Sequence, residues 1–189
     1  MSRLNPENEK RGREIIALYP KSRSALLPLL HLAQEQNGWL TPESIKHVAD
    51  LLDLTAAEVL GVASFYDMFH TEPVGRHLVA VCTNLACLLN GADELLEFAE
   101  DKLGIKSGGT TEDGEFTLEE VECLATCDKA PVCAINWRYF HNLTKPEFDK
   151  LLNEVRRKTL DHDVPLHGTV TRVRRKVVLP ARAPESGVK

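Results

Sequence analysis

The chain has 189 residues, of which 43% are hydrophobic, 27% charged and 6% aromatic. This composition is that of an average soluble protein, and it excludes collagen-like, fully disordered and membrane-spanning chains. No apolar run approaches the roughly 20 residues that a membrane-spanning helix needs, and the N-terminus lacks the apolar segment of a secretory signal. We therefore expect a cytoplasmic protein of one ordinary domain, or one small domain with an appendage.

The net charge of −5 is unevenly distributed along the chain. Residues 156–189 contain nine Lys/Arg and three Asp/Glu, a net charge of +6, so the residues before them carry −11. An acidic body has little general attraction for the anionic backbone of nucleic acid. The basic tail either contacts the acidic body or docks onto a partner subunit as an extended segment. We favour docking, because residues 170–179 mix β-branched residues with arginines.

Capping and stop signals predict a helical first part of the chain. The first two predicted helices cover residues 10–19 and a stretch from Ser22 or Ser24 to Asn37. A third helix begins after Thr41. A fourth begins after Thr55 and carries apolar residues as far as Tyr66. Gly38 is a good helix stop, and Pro42 follows the N-cap Thr41 at the first helical position. Thr55 and Glu58 form a capping box. Residues 72–75, with sequence EPVG, are the predicted boundary of this part.

The second part of the chain is predicted to have the order β-α-β-β-β-α. The predicted strands cover residues 77–82, 116–122, 131–136 and 138–141, and the helices begin after Gly91 and after the capping box of Thr144 and Glu147. An intervening helix favours parallel pairing of the first two strands. A tight turn favours antiparallel pairing of the last two strands.

The five cysteines of the chain indicate a metal centre. An odd number of cysteines without a secretory signal argues against a disulfide framework. Four residues separate Cys82 from Cys87, three separate Cys123 from Cys127, and thirty-five lie between the two pairs. Each pair follows a predicted strand, so adjacent strands would bring all four thiolates to one edge of the sheet. Four thiolates suit an iron–sulfur cluster or zinc.

The loops around the paired cysteines favour iron, although the spacing alone does not exclude zinc. An anionic cluster needs backbone N–H groups near its sulfurs and limited access of water. The residues between the paired cysteines, TNLA and LAT, supply amides and small or apolar side chains and contain no Lys or Arg. The fifth cysteine, Cys133, shares a strand face with Ile135 and is predicted to be a small buried hydrophobe. We interpret the seven histidines as structural or surface groups, and without a Cys-x-His pair a Rieske centre is not expected.

The cysteine segments carry a family resemblance. The segments VCTNLAC at 81–87 and VECLATCDKAP at 121–131 resemble the thioredoxin-like [2Fe–2S] ferredoxin family, in particular the E-type subunit of NADH:quinone oxidoreductase, respiratory complex I. The resemblance includes residues 61–66, 112–117 and 142–144 and spans roughly residues 9–156. Each segment alone is weak, but their order and spacing together are specific.

The resemblance implies an α+β fold: an N-terminal helical bundle in residues 1–73, a thioredoxin-like [2Fe–2S] domain with a small mixed sheet in residues 74–159, and a basic tail in residues 160–189. It implies one [2Fe–2S] cluster per chain. Carried over residue by residue, the ligands of the cluster are Cys82, Cys87, Cys123 and Cys127. We expect no catalytic residue in this chain, because an electron-transfer subunit performs no bond chemistry itself.

The resemblance also implies partners. The chain has no dinucleotide-binding glycine fingerprint, so FMN and NADH are expected on a flavin-bearing partner subunit, beside other subunits of the peripheral arm. The expected location is cytoplasmic, peripheral on the inner face of the cell membrane through the complex, without direct membrane insertion. The alternatives are the equivalent diaphorase subunit of an NAD-linked hydrogenase or formate dehydrogenase, a four-cysteine zinc module, and a free ferredoxin.

Three residues depart from the pattern of the family. Between the cysteines of the second pair the family usually has Gly then Ala, whereas this chain has Ala125 and Thr126. A positive φ at Ala125 would cost free energy, because alanine has a Cβ. The position of Cys133 is usually apolar. None of the three removes a predicted ligand, but each bears on the potential or stability of the cluster.

Overall fold

The computed structural model describes residues 3–160 and residue 164, which form seven α-helices and four strands. The helices are α1 (Pro6–Ile16), α2 (Leu26–Asn37), α3 (Pro42–Leu52), α4 (Ala56–Ala63), α5 (Leu85–Leu88), α6 (Ala92–Leu103) and α7 (Lys145–Arg156). The strands are β1 (His77–Cys82), β2 (Phe116–Val121), β3 (Cys133–Ile135) and β4 (Arg138–Phe140). A helical part followed by a small mixed sheet confirms the predicted α+β fold class.

Helices α1–α4 enclose one hydrophobic core. The apolar stripe of α3 is buried against this core as its spacing predicts, with Val48 fully buried. The side chain of Gln34, on α2, ties the segment after α4 to the core. Its Nε2 donates to the carbonyl of Met68 at 2.8 Å, and its Oε1 accepts from the N–H of His70 at 2.8 Å. These two hydrogen bonds fix the path of the chain as it leaves the helical part.

Helix boundaries differ from the prediction at two places. Helix α1 begins at Pro6 rather than Lys10, because the Asn5 side chain caps it by accepting from the N–H of Asn8 at 2.8 Å. Helix α4 ends at Ala63, so the chain has left the helix before Tyr66. The Phe65 side chain, two residues beyond the end of α4, is 78% exposed.

The four strands form one mixed sheet with the order β2-β1-β3-β4. Strands β1 and β2 are parallel, from His77 opposite Phe116 to Cys82 opposite Val121, and β3 pairs antiparallel with both β1 and β4. The predicted parallel first pair and antiparallel last pair are therefore confirmed. Residues from one face of the sheet pack with α6 and α7 in a second core, which is separate from the core of the helical part.

The segment that joins the two parts of the chain makes a close backbone contact with β2. A Cβ on Gly75 would lie 2.6 Å from the carbonyl carbon of Phe116, so only glycine fits there without a shift of the backbone. The N–H of Gly75 also donates to Thr117 Oγ1 at 2.7 Å. The segment between α4 and β1 is therefore anchored to β2 just before the first strand begins.

Most of the predicted basic tail lies outside the described residues. Of residues 160–189, the structure describes Leu160 and Val164, and both pack against the second core. In the described part of the chain, no helix has the length and apolar character needed to cross a membrane.

Candidate metal centre

The parallel pairing of β1 and β2 brings the two cysteine pairs to one edge of the sheet. Cys82 is the last residue of β1 and lies opposite Val121, the last residue of β2, so Cys123 follows at the same edge. The Cys82 thiol donates to the carbonyl of Glu122 at 3.4 Å, which links the two strand ends directly. The expectation that adjacent strands carry both pairs to one edge agrees with this geometry.

Local structure after each strand positions the second cysteine of each pair. Cys87 lies on the short helix α5. The sequence pattern predicted a loop here, because a segment of four residues is too short to show a helical period. The Asn84 side chain caps α5 by accepting from the N–H of Leu85 at 2.9 Å. Cys127 begins a 3-10 turn, Cys127–Lys129, in which the N–H of Lys129 donates to the carbonyl of Thr126 at 3.0 Å.

The four thiols of the predicted ligand set interact with one another. Cys82 interacts with Cys87, and Cys123 interacts with Cys127. Cys127 also interacts electrostatically with both Cys82 and Cys87, across the two pairs. The structure therefore brings together all four cysteines that were singled out from their spacing.

Burial and repulsion shift two of the thiols, those of Cys87 and Cys127, towards their protonated form. Burial, followed by the neighbouring Cys82 thiol, raises the pKa of Cys87 to about 11, while the backbone amide of Val132 acts in the opposite direction. The nearby Cys123 thiol, followed by burial, raises the pKa of Cys127. Four closely spaced thiolates need a cation to compensate their charge, which is the condition that a bound metal group satisfies.

The backbone conformation of Ala125 directs its N–H towards the sulfur of Cys123. Ala125 has a φ of 57°, in the left-handed region, so the strain anticipated from its Cβ is present. In this conformation the N–H of Ala125 donates to Cys123 Sγ at 3.3 Å. Amide hydrogen bonds to thiolate sulfurs are the interactions that an anionic iron–sulfur cluster requires.

The two cysteine pairs differ in their access to solvent. Cys82 and Cys87 are buried with Ala92 and Val132 in a small apolar cluster. Cys123 and Cys127 are exposed. Beside the buried pair, the three leucines of the α5 segment are exposed: Leu85, Leu88 and Leu89. The site is therefore dry beside Cys82 and Cys87 and accessible to solvent beside Cys123 and Cys127.

The residues present fit a [2Fe–2S] cluster. Among residues 3–160 and 164, no group of three or more His, Cys, Asp or Glu side chains is arranged to hold one metal ion. The thiols interact mainly as two pairs, Cys82 with Cys87 and Cys123 with Cys127, and a two-iron cluster takes two thiolates on each iron. The donor set, the amide of Ala125 and the apolar wall together match what such a cluster needs.

Cys133 lies apart from this site. Its side chain is fully buried in the second core, as is that of Ile135, which confirms the predicted burial. Complete burial raises the pKa of the Cys133 thiol, because the charged form is poorly solvated there. Among the histidines, His47 has a structural contact, because its Nδ1 accepts from the N–H of Leu4 at 3.0 Å.

Sequence reasoning missed two contributors to the site. Asn84 caps α5, and an Asn immediately before a short apolar run is the signal that could have identified it. The amide of Val132 acts on Cys87 from across the sheet. No local pattern could have identified that contact, because it depends on the pairing of β1 with β3.

Comparisons with known proteins agree with this geometry. The family model for the thioredoxin-like [2Fe–2S] ferredoxin matches residues 12–156. The E subunit of the NADH-quinone oxidoreductase of Mycobacterium tuberculosis (strain ATCC 25618 / H37Rv) is 42% identical over 179 residues, which cover 93% of this chain and 71% of the relative. The subunit of the same name from Rickettsia felis (strain ATCC VR-1525 / URRWXCal2) is 45% identical over 154 residues, which cover 80% of this chain and 92% of the relative.

A solved structure shares the fold. A chain of the NAD+-reducing [NiFe]-hydrogenase in its air-oxidized state superposes with a TM-score of 0.65 over 74% of this chain and 24% of that chain, at 24% sequence identity. At this identity the likeness concerns the fold alone.

Proposed function

The chain belongs to the thioredoxin-like [2Fe–2S] ferredoxin family, and we propose that it is the E-type subunit of an NADH:quinone oxidoreductase, transferring single electrons through one [2Fe–2S] cluster held by Cys82, Cys87, Cys123 and Cys127. The observation that carries the ligand assignment is the meeting of these four thiols at one edge of the β1–β2 pair.

The bound cluster supplies reversible one-electron chemistry, and the protein supplies its surroundings. The four cysteines bind it as thiolates. The amides of Ala125 and Val132 stabilise negative charge on the sulfurs of Cys123 and Cys87. The apolar cluster around Cys82 and Cys87 excludes water from one side of the site.

Metal analysis of anaerobically purified protein tests this proposal. We expect about two irons and two sulfides per chain and, after reduction with dithionite, the EPR signal of a reduced [2Fe–2S] cluster with a spin of one half. Stoichiometric zinc without iron would overturn the proposal and support the four-cysteine zinc module instead.

The proposed partner is the flavin-bearing subunit that holds FMN and NADH, within the peripheral arm of a complex at the inner face of the cell membrane. The surface of the α5 segment supports this partner, because Leu85, Leu88 and Leu89 expose apolar surface beside the buried cysteine pair. Exposed apolar surface next to a redox centre suits a stable subunit contact, which would bring the cluster close to the partner's cofactor.

A charge substitution on this surface tests the contact. The side chain of Leu89 is 77% exposed. Leu89→Asp should weaken association with the purified flavin-bearing subunit at least tenfold and leave the visible spectrum of the cluster unchanged. Leu18, which is 65% exposed on the helical part, is the matched control, and Leu18→Asp should bind as the unmodified chain does. Equal binding by both variants would place the partner elsewhere.

A second candidate host is an NAD-linked hydrogenase, favoured by the shared fold of the NAD+-reducing [NiFe]-hydrogenase chain. Identification of the subunits that co-purify with the native chain distinguishes the hosts. Membrane subunits of a quinone reductase would support the first candidate, and a nickel-containing subunit the second.

A further inference from the structure

Thr126 contributes an unusual hydroxyl to the second cysteine loop. Its Oγ1 atom is inaccessible to solvent and has no hydrogen-bond partner among the described residues of the chain. A buried hydroxyl without a partner destabilises a protein, and most such groups prove to have a partner once bound molecules are included. Thr126 lies directly between Ala125 and Cys127, within the loop that supplies two of the four proposed ligands.

Two backbone groups near Thr126 are already engaged in hydrogen bonds. The N–H of Ala125 donates to Cys123 Sγ at 3.3 Å, and the carbonyl of Thr126 accepts from the N–H of Lys129 at 3.0 Å. In the first cysteine loop, the comparable hydroxyl of Thr83 donates to Glu120 Oε1 at 2.8 Å. Within the described part of the chain, the hydroxyl of Thr126 therefore differs from that of Thr83 in lacking a protein acceptor.

We propose that the Thr126 hydroxyl donates a hydrogen bond to a sulfur of the bound cluster and thereby raises the reduction potential of the cluster. The inference rests on the proposed function, because it needs the [2Fe–2S] cluster at this site. A sulfur acceptor would satisfy the buried hydroxyl.

The direction of the effect follows from the charge on the cluster. Reduction adds one negative charge, and part of that charge resides on the sulfurs. A hydroxyl that donates to a sulfur stabilises the reduced form more than the oxidised form, so it raises the potential. Thr126 acts here as a positioning residue, because it takes no electron itself.

Three chains compared by redox titration test the inference: the unmodified protein, Thr126→Val and Thr126→Ser, each as the full-length chain with its cluster. We expect Thr126→Val to shift the ratio of reduced to oxidised cluster at a fixed ambient potential about tenfold towards the oxidised form, which is 59 mV for a one-electron couple. Thr126→Ser keeps the donor and should retain most of the original potential. EPR intensity against ambient potential measures both values.

Thr83→Val is the matched control, because it removes a hydroxyl from the other cysteine loop that already has a protein acceptor. We expect it to change the potential much less than Thr126→Val does. An unchanged potential in Thr126→Val would overturn the inference. Equal shifts in Thr126→Val and Thr126→Ser would overturn it too, because the effect would then come from packing rather than from the hydroxyl.

A second measurement covers the case in which Thr126→Val fails to assemble a cluster. Resonance Raman spectra of the unmodified and Thr126→Ser proteins in H2O and D2O report exchangeable hydrogen bonds to cluster sulfurs. Comparison with Thr126→Ala separates the side-chain hydroxyl from the backbone amides. If Thr126→Ala shows the same isotope shifts as the unmodified protein, the inference is overturned. Absence of iron from the unmodified protein would instead overturn the proposed function.

Discussion

At the scale of single residues, Ala125 combines a cost in stability with a contribution to the site. Its φ of 57° is unfavourable for a residue with a Cβ, yet this conformation directs its N–H to Cys123. We predict that Ala125→Gly relieves the strain and raises the free energy of unfolding of the metal-free protein by roughly 0.5–1 kcal/mol. Urea denaturation measures the change.

Ala130 provides the control for this substitution, because its φ of −67° is ordinary. Ala130→Gly should lower the free energy of unfolding, since it removes a Cβ that packs against the apolar cluster of Cys82 and Cys87 and adds freedom to the unfolded chain. If Ala125→Gly also destabilises the protein, the strain at this residue is not the dominant effect.

The five cysteines should respond differently to replacement. Changing any of Cys82, Cys87, Cys123 or Cys127 to Ala removes a thiolate with no substitute nearby, so we predict loss of the cluster and of its visible absorption. Cys133→Val fills a fully buried apolar position with a side chain of similar size, so the cluster should remain. Iron content and the absorption spectrum of each purified variant give the answer. Loss of the spectrum in a folded Cys133→Val would mean that Cys133 belongs to the site.

At the scale of helices and strands, the capping box of α4 makes stability depend on pH. The backbone N–H of Thr55, followed by Arg23, lowers the pKa of Glu58 from 4.5 to about 2. Because the folded pKa is the lower one, the contribution of the ionised carboxylate is complete above about pH 4.5 and is lost as the pH falls towards 2. Glu58→Gln should therefore be less stable than the unmodified chain at neutral pH, and this difference should shrink across that range.

Thermal unfolding at a series of pH values tests the capping box. Glu72, exposed in the segment between the two parts of the chain, is the control. Glu72→Gln should follow the unmodified chain at every pH. A constant difference between Glu58→Gln and the unmodified chain down to pH 2 would contradict the assignment.

Elements with strong local signals could be predicted from the sequence. Helices α3, α4 and α7 have a capping threonine, and β1 is a short β-branched run, so these elements begin where the pattern indicates. Helix α5 was missed because a helix of four residues has no periodicity. The ligand set was predicted from spacing and resemblance, whereas the amide of Val132 and the buried hydroxyl of Thr126 depend on tertiary contacts that no local pattern encodes.

At the scale of the whole molecule, the cores of the helical part and of the sheet are separate within the described residues, and a cleft of about 860 Å³ lies between residues 67–70 and the face of the sheet opposite the second core. Asp67 and Met68 line the cleft from the helical part, and Glu119 and Trp137 line it from the sheet. Burial, followed by the charge of Asp67, raises the pKa of Glu119. The charge of Asp67 therefore acts on Glu119 from the other side of the cleft and favours the neutral form of that carboxyl.

We predict from the separate cores that residues 74–189 fold and bind the cluster without the helical part. The second core draws all its members from beyond residue 76, and so do the four proposed ligands. Expression of residues 74–189, followed by iron analysis and EPR, should give the spectrum of the full chain. Failure of this fragment to hold iron, when the full chain does so under the same conditions, would show that the helical part is needed for the fold of the sheet.

The order of the two cores along the chain has a consequence for synthesis on the ribosome. The helical core is built from sequence-local contacts and is complete by Phe69, so it can form while the sheet is still being translated. The metal centre cannot close until Cys127 and then Val132 have emerged, because β3 must pair with β1 beside the buried thiols. We therefore expect cofactor insertion to be a late, effectively post-translational event, acting on a chain whose N-terminal part has already folded.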